Sequence, residues 1–399
     1  MKKENAKMKD NLKVVVYAIC RDERQFVSRW MESMKEADAV VVLDTGSRDG
    51  TPDALRANGA LVEVKTYAGW RDVAEYNRIV KEGKATPWRF DWARNDSIDL
   101  AKRLVPDADI LVCTDLDEYF LPGWRAKLEA AWLAYAKAHN GVMPNSAQYQ
   151  YVWNFNADGS DGTTYWYEKI HTPTDARWSH PVHEILDYRK TQMRKVRVEG
   201  MRLEHHADPH KSRSQYLHML ELSVAEAPND DRNAHYLARE YMFRGRWEDA
   251  IKGFKRHLAL PTATWRAERA ASLRYMARCY GELKDYARKE AYLWRAINEE
   301  PTQREAALEL AELANSQKDW PLLVRACERC LAVTKRTLSY LTKAEAWGYR
   351  PHDLYSIGLW YTGRRQEALE ANAMAMKLAP GDRRLMENDE IMRRIMEGK

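Results

Sequence analysis

Residues 109–120 read Asp-Ile-Leu-Val-Cys-Thr-Asp-Leu-Asp-Glu-Tyr-Phe, a short apolar run that ends in three carboxylates. The run reads as a buried strand that delivers Asp115, Asp117 and Glu118 to its carboxyl end, where ligands bind in open α/β sheets. Acids packed this closely repel one another unless a cation or a donor-rich ligand lies between them. Hard cations such as Mg²⁺ bind through one or two carboxylates together with substrate phosphates, so Asp-x-Asp at a strand end suits a nucleotide diphosphate. A solvated acidic turn is the bland alternative, since Asp-x-Asp is a common tripeptide.

Upstream, the β-branched run Val14–Cys20 and the run 39–43 read as further buried strands, with a helix over 25–36 between them. Asp44 closes the second strand at Asp-Thr-Gly-Ser-Arg-Asp-Gly-Thr, and Thr51-Pro52-Asp53 opens the next helix with a cap and a proline in its first turn. A third strand over 61–65 and a helix over 96–104 lead to the acids. The order βαβαβ, helix, β predicts a doubly wound, mostly parallel sheet. Asp44 can accept hydrogen bonds from a ribose or base at that strand end, or simply close an Asx turn. The glycines match neither a dinucleotide fingerprint nor a P-loop.

Four stretches carry a resemblance: 14–23, Val-Leu-Asp-Thr-Gly-Ser-Arg-Asp-Gly-Thr at 42–51, Trp-Arg-Phe-Asp-Trp-Ala-Arg-Asn at 88–95, and Asp-Leu-Asp-Glu at 115–118. In order and spacing they resemble the nucleotide-sugar half of family 2 glycosyltransferases. The similarity covers roughly residues 12–210. It extends to bacterial members with tetratricopeptide repeats behind the catalytic domain, including peptide S-glycosyltransferases of the sublancin type. The resemblance implies a GT-A fold, a nucleotide-diphosphate sugar donor such as a UDP-sugar, Mg²⁺ or Mn²⁺, and inversion at the anomeric carbon. It further implies that Asp44 faces the uridine, that Arg94 and Asn95 border the donor pocket, that Asp115 reaches the ribose and that Asp117 reaches the metal. Two positions depart from the family: Asp22 stands where an Asn is usual, and Leu116 where a small residue separates the acids. Read without the family, Arg94 pairs with Asp91 or Asp96 on the surface, a kind of contact that contributes little.

Beyond the acids, a helix over 124–139 precedes aromatic-rich strands over 149–155 and 163–170, joined by a turn cluster. Arg-Trp-Ser-His-Pro-Val-His-Glu at 177–184 and Leu-Glu-His-His-Ala-Asp at 203–208 then bring four histidines and several acids together. An inverting transfer needs a base to take the acceptor's proton and a metal to neutralise the diphosphate. In the family a single imidazole from a late strand completes the metal shell, which selects His205, with His206 the alternative by rotation of the strand. Glu184 is the expected base: it lies in a loop after Pro181, with apolar Ile185 and Leu186 behind it. Glu118 is the competing candidate. His180 and His183 stay unassigned, because a His–Glu pair bracing the loop is as good a reading of His183.

From Ser214 onward the pattern is continuous helix. Trp247, Tyr286, Trp320 and Arg365 stand 39, 34 and 45 residues apart, around the 34-residue tetratricopeptide period, with an insertion over 335–351. Such arrays stack into a solenoid that binds peptides or proteins, dimerises, or props up its neighbour. The expected division is a disordered 1–12, a GT-A domain over 13–212 and an all-α repeat domain over 213–399, with a joining helix over 213–228.

The 399 residues carry 64 basic and 59 acidic side chains, a balance that argues against nucleic acid. Five unpatterned cysteines point to a reducing, cytoplasmic setting, and Cys327-x-x-Cys330 reads as two small helix residues. No stretch reads as a signal peptide or membrane span. The functional expectation is a glycosyltransferase acting on a peptide, protein or glycan, with a possible homo-oligomer through the repeats. The alternatives are an inactive scaffold that binds protein partners, and a transferase acting on modified nucleic acid.

Overall fold

The structure, a computed structural model, describes residues 11–156, 159–188, 191–208 and 216–398. The chain divides into two units, Met1–Ser223 and Val224–Lys399.

The first unit begins with β1 (Val14–Cys20), α1 (Val27–Met34), β2 (Ala39–Asp44), α2 (Thr51–Ala57), β3 (Leu61–Val64), α3 (Val73–Glu82), α4 (Phe90–Leu104) and β4 (Ile110–Cys113). Strands β3, β2, β1 and β4 lie side by side and parallel. Alternation along β1 explains why this sheet is covered twice. Val14, Val16 and Ala18 pack with Trp30, Met34 and Leu55 on one face, while Val15, Tyr17 and Ile19 pack with Ala93, Ile98 and Ala101 of α4 on the other.

The acidic stretch is not one strand. β4 stops at Cys113, residues 114–117 turn, and β5 (Glu118–Phe120) follows. Next come α5 (Trp124–Ala138), β6 (Ser146–Val152), β7 (Thr164–His171), the small hairpin of β8 (Arg177–Ser179) and β9 (Ile185–Asp187), and β10 (Lys195–His205). The eight-stranded order is β3-β2-β1-β4-β7-β6-β10-β5, with β7 antiparallel to β4 and β6, and β5 antiparallel to β10. In a flat sheet, four strand spacings would set β5 about 19 Å from β4. A four-residue turn joins them, so the sheet curls until its far edge returns to β4. That curl wraps β7, β6 and β10 around the acids.

Three expectations need correction. The helix placed at 96–104 starts at Phe90, so Arg94 and Asn95 are helical rather than in a loop. Helix α3 was not anticipated. Leu12, assigned to a disordered tail, is 4% exposed and packs in the core, and its carbonyl accepts from Arg125 Nη2 at 2.5 Å. Residues 1–10, part of the turn cluster at 157–158 and the start of the joining helix at 213–215 lie outside the described residues.

Helix α6 (Tyr216–Glu226) runs across the division between the units. The second unit continues with α7 (Asp231–Phe243), α8 (Trp247–Ala259), α9 (Arg266–Glu282), α10 (Tyr286–Glu299), α11 (Glu305–Gln317), α12 (Trp320–Leu331), α13 (Arg350–Tyr361), α14 (Arg365–Leu378) and α15 (Arg383–Met396). Trp247, Tyr286, Trp320 and Arg365 are each the first residue of the second helix of a pair. Small residues set the spacing within pairs: a Cβ on Gly253 of α8 would lie 2.7 Å from the Ala238 Cβ of α7. The insertion folds back, burying Leu341 against α7–α9 residues and placing Lys343 N on Glu305 Oε1 at 3.0 Å. Cys327 and Cys330 are buried, free and on α12. Among the described residues no helix is long and apolar enough to cross a membrane.

Candidate functional site

The curl brings side chains from five elements onto the turn at 114–117. Asp115 accepts from Arg94 Nη2 of α4 at 2.9 Å and from Lys169 Nζ of β7 at 3.1 Å. Burial acts against its charge, but the Arg94 and Lys169 cations hold its carboxyl well below the usual carboxylate range. Glu118 is 1% exposed and takes Lys169 Nζ at 3.0 and 3.2 Å, the Tyr151 hydroxyl at 2.8 Å and the Asp115 amide at 2.8 Å. Burial raises its carboxyl against the pull of Lys169. Every oxygen of Glu118 is thus engaged inside the sheet.

Asp117 is placed differently. Its carboxylate contacts neither Arg94 nor Lys169; its ionic neighbour is His205, whose Nε2 lies 3.5 Å from Asp117 Oδ2. The His205 Nδ1 bonds the Trp153 carbonyl at 3.0 Å and the ring stacks on Trp153 at 4.5 Å. A carbonyl only accepts, so Nδ1 carries a proton and Nε2 is the nitrogen that faces Asp117. Burial disfavours the charged ring, yet the Asp117 carboxylate raises it above its ordinary value. His206 turns the other way: its Nε2 lies 3.1 Å from Arg29 Nη2, and its ring rests against Tyr119 and Phe155.

An ion with bonds of about 2.1 Å sets adjacent donors about 3 Å apart and opposite donors about 4.2 Å apart. The 3.5 Å between His205 Nε2 and Asp117 Oδ2 therefore suits two donors of one such cation. The backbone bond from Nδ1 is the kind of outer contact that fixes a ligating imidazole.

Arg94 is not a surface residue. Its side chain is 5% exposed, its Nε bonds Glu184 Oε1, its Nη1 lies 3.2 Å from Cys113 Sγ, and its Nη2 holds Asp115. Glu184 is therefore pulled onto the helix that also orients Asp115. The apolar backing expected for it is half present: Leu186 is buried, but Ile185 is 37% exposed. The 177–184 loop is clamped to α4 by the two-way bond between the Asn95 amide and the Trp178 backbone, both at 2.9 Å, and by Phe90 N on the Pro181 carbonyl at 3.0 Å. Asn95 thus braces the loop with both ends of its amide. His180 (φ 79°) and His183 (φ 53°) sit in left-handed backbone, strain of the kind held at sites.

Asp44 is fully buried and closes the Asx turn, accepting from the Gly46 and Ser47 amides at 2.9 and 2.8 Å and from the Ser47 hydroxyl. Asp22 holds a left-handed backbone (φ 53°) and accepts from Arg48 N at 2.6 Å. Asn and Asp both tolerate that conformation, so the departure from the family's Asn leaves the loop intact. Lys169 and Tyr151 escaped the sequence reading. A lysine between Tyr167 and His171 on one face of an aromatic strand was the available signal.

Fold and site together define a curled α/β unit with a carboxylate–imidazole pair beside its clustered acids, followed by a helical-repeat unit. Over 141 residues the chain is 27% identical to the lipopolysaccharide core biosynthesis glycosyltransferase LpsC of Rhizobium meliloti (strain 1021), a match covering 33% of this chain and 47% of that protein. The matched region thus spans about half the length of that relative. No family model matches the chain. Among solved structures it is similar to YrrB, a tetratricopeptide-repeat protein with an unusual peptide-binding site (13% identity, TM-score 0.37, 45% of this chain and 84% of that one). It is also similar to MamA from Desulfovibrio magneticus RS-1 (15% identity, TM-score 0.34, 42% of this chain and 85% of that one).

Proposed function

We propose that the chain is an inverting, metal-dependent glycosyltransferase of family 2 and GT-A type, moving a sugar from a UDP-sugar to a peptide, protein or glycan. The observation that carries the reading is the Asp117–His205 pair: among the clustered acids, Asp115, Glu118 and Glu184 contact Arg94 or Lys169, and Asp117 instead faces His205 Nε2. Asp117 and His205 would hold Mg²⁺ or Mn²⁺, and the imidazole favours Mn²⁺. When bound, the ion neutralises charge gathering on the departing diphosphate. The 27% identity to LpsC supports the reaction class.

The chain's own residues do the rest. Asp115, fixed by two cations, accepts from the ribose hydroxyls, and Asp44 shapes the 45–50 loop against the nucleobase. Glu184 takes the acceptor's proton as the new bond to the anomeric carbon forms and the bond to the diphosphate breaks. Arg94 sets where that carboxylate stands, and Asn95 holds its loop. The helical repeats present the acceptor, in the manner of the sublancin-type enzymes, or join two copies. Five buried free thiols suit a cytoplasmic setting. Incubation with a panel of nucleotide sugars and Mn²⁺, following nucleotide release, tests the proposal. Turnover with one donor is expected; no release with any donor and a range of peptides and glycans would favour the scaffold instead.

A further inference from the structure

The repeat unit contains a second cluster that donor chemistry does not use. His235 of α7 and His257 of α8 are completely buried, and Glu268 of α9 is 3% exposed. One donor atom from each lies within 4.8 Å of the others. Both Nδ1 atoms bond a single hydroxyl, Ser272 Oγ, at 2.8 and 2.9 Å. Both Nε2 atoms are buried without a hydrogen-bond partner. His257 Nε2 lies 3.4 Å from Glu268 Oε1 but is not aligned for a hydrogen bond, and the other Glu268 oxygen takes the Tyr340 hydroxyl at 2.6 Å.

An orphaned buried nitrogen is costly, and a helical core can avoid that with an apolar side chain. His257 Nε2 faces Glu268 and His235 lies in the same cluster, so one common partner would satisfy both orphaned nitrogens. Ser272 Oγ has two lone pairs and can accept from both Nδ1–H groups, and that tautomer leaves a lone pair on each Nε2. Hydroxyl, imidazoles and carboxylate then form a donor set with its outer contacts in place, Ser272 behind the histidines and Tyr340 behind the glutamate.

We propose that His235, His257 and Glu268 bind one Zn²⁺ ion that ties α7, α8 and α9 together. Two imidazoles and a carboxylate suit zinc, whereas Mg²⁺ and Ca²⁺ prefer all-oxygen shells. Donors around tetrahedral zinc stand about 3.3 Å apart. The 4.8 Å cluster therefore closes by small rotations of the three side chains, and water takes the fourth position. Through Tyr340 the ion also reaches the insertion between the third and fourth helix pairs, fixing it on the first two. This site stands independently of the sugar-transfer reading.

The test uses the full chain, stripped with chelator and titrated with Co²⁺ as a spectroscopic substitute. The expected result is one Co²⁺ per chain that gives the visible band of tetrahedral cobalt, apart from any held at Asp117 and His205, displaced by Zn²⁺, and a higher Tm with Zn²⁺ than without. Asp117→Ala should leave the band unchanged, and His235→Asn with His257→Asn should weaken Co²⁺ binding at least about 100-fold. Because that double variant can fail to fold, Glu268→Gln, which keeps an acceptor for Tyr340, is read alongside it and should shift or lose the band with its helical circular dichroism intact. A wild-type chain that gives no band and no Zn²⁺-dependent change in Tm overturns the proposal and leaves a hydrogen-bonded His–Ser–His core. A band that survives both the double variant and Glu268→Gln overturns it too.

Discussion

Glu184 and Asp115 share one guanidinium: Arg94 bonds Glu184 through Nε and Asp115 through Nη2 at 2.9 Å. The loop that brings the proposed base and the turn that brings the proposed ribose contact are thereby set against each other by a side chain 5% exposed. Glu184→Gln should keep UDP affinity within about twofold and cut transfer by about 10²–10⁴-fold, the usual range for removing a general base. A loss seen as a raised donor KM at constant kcat would instead make Glu184 a positioning partner of Arg94.

Lys169 neutralises two acids in the interior of the curl, with Nζ 3.0 Å from Glu118 and 3.1 Å from Asp115. Removing one partner of such a buried group leaves charge uncompensated, so Lys169→Met should destabilise the chain by about 3–5 kcal/mol. Urea unfolding followed by tryptophan fluorescence reads this directly. A change below about 1 kcal/mol would mean that the acids hold protons in place of the lysine.

His171 is buried, accepts the Tyr17 hydroxyl on Nε2 at 2.7 Å and bonds the Thr172 carbonyl through Nδ1. Burial holds its ring down to about 4, below the ordinary value. A depressed histidine contributes stability above the unfolded value of about 6.5 and loses it as pH falls towards 4, a change of up to about 3 kcal/mol. Tm should therefore drop on acidification through this window, and His171→Gln should flatten the slope. An equal slope in the variant would assign the acid sensitivity elsewhere.

Gly253 tests the packing of the repeats by the sign of an effect. In an open helix Gly→Ala stabilises by about 0.5–1 kcal/mol. Here the new Cβ would stand 2.7 Å from the Ala238 Cβ and 3.2 Å from its Cα, so Gly253→Ala should destabilise. Thermal unfolding decides; a stabilised variant would mean that α7 and α8 are further apart.

The legible parts of this chain were those in which one local pattern decides the outcome. The β-branched run Val14–Cys20 is typical of a buried strand, and Trp247, Tyr286, Trp320 and Arg365 showed the repeat register, because paired helices repeat the same contact. The choice of His205 over His206 came from the family resemblance, not from a local pattern; in the structure His205 faces Asp117 and His206 faces Arg29. What escaped depends on contacts distant in sequence. Glu118 looked free because the curl that delivers Lys169 and Tyr151, 51 and 33 residues away, leaves no local trace. Arg94 looked like a surface ion because its partners sit 21 and 90 residues further on. His235, His257 and Glu268 fall on three helices whose mutual rotation no spacing rule supplies.

In the proposed reaction Asp117 holds the cation that binds the donor diphosphate, with His205 beside it. Calorimetric titration of UDP with and without Mn²⁺, into wild type, Asp117→Ala, His205→Ala and His206→Ala, tests it most directly. Mn²⁺ should tighten UDP binding at least tenfold, about 1.4 kcal/mol, in wild type and His206→Ala, and the gain should disappear in Asp117→Ala and His205→Ala. An Mn²⁺-dependent gain that survives in Asp117→Ala, or that is missing from wild type, would contradict it.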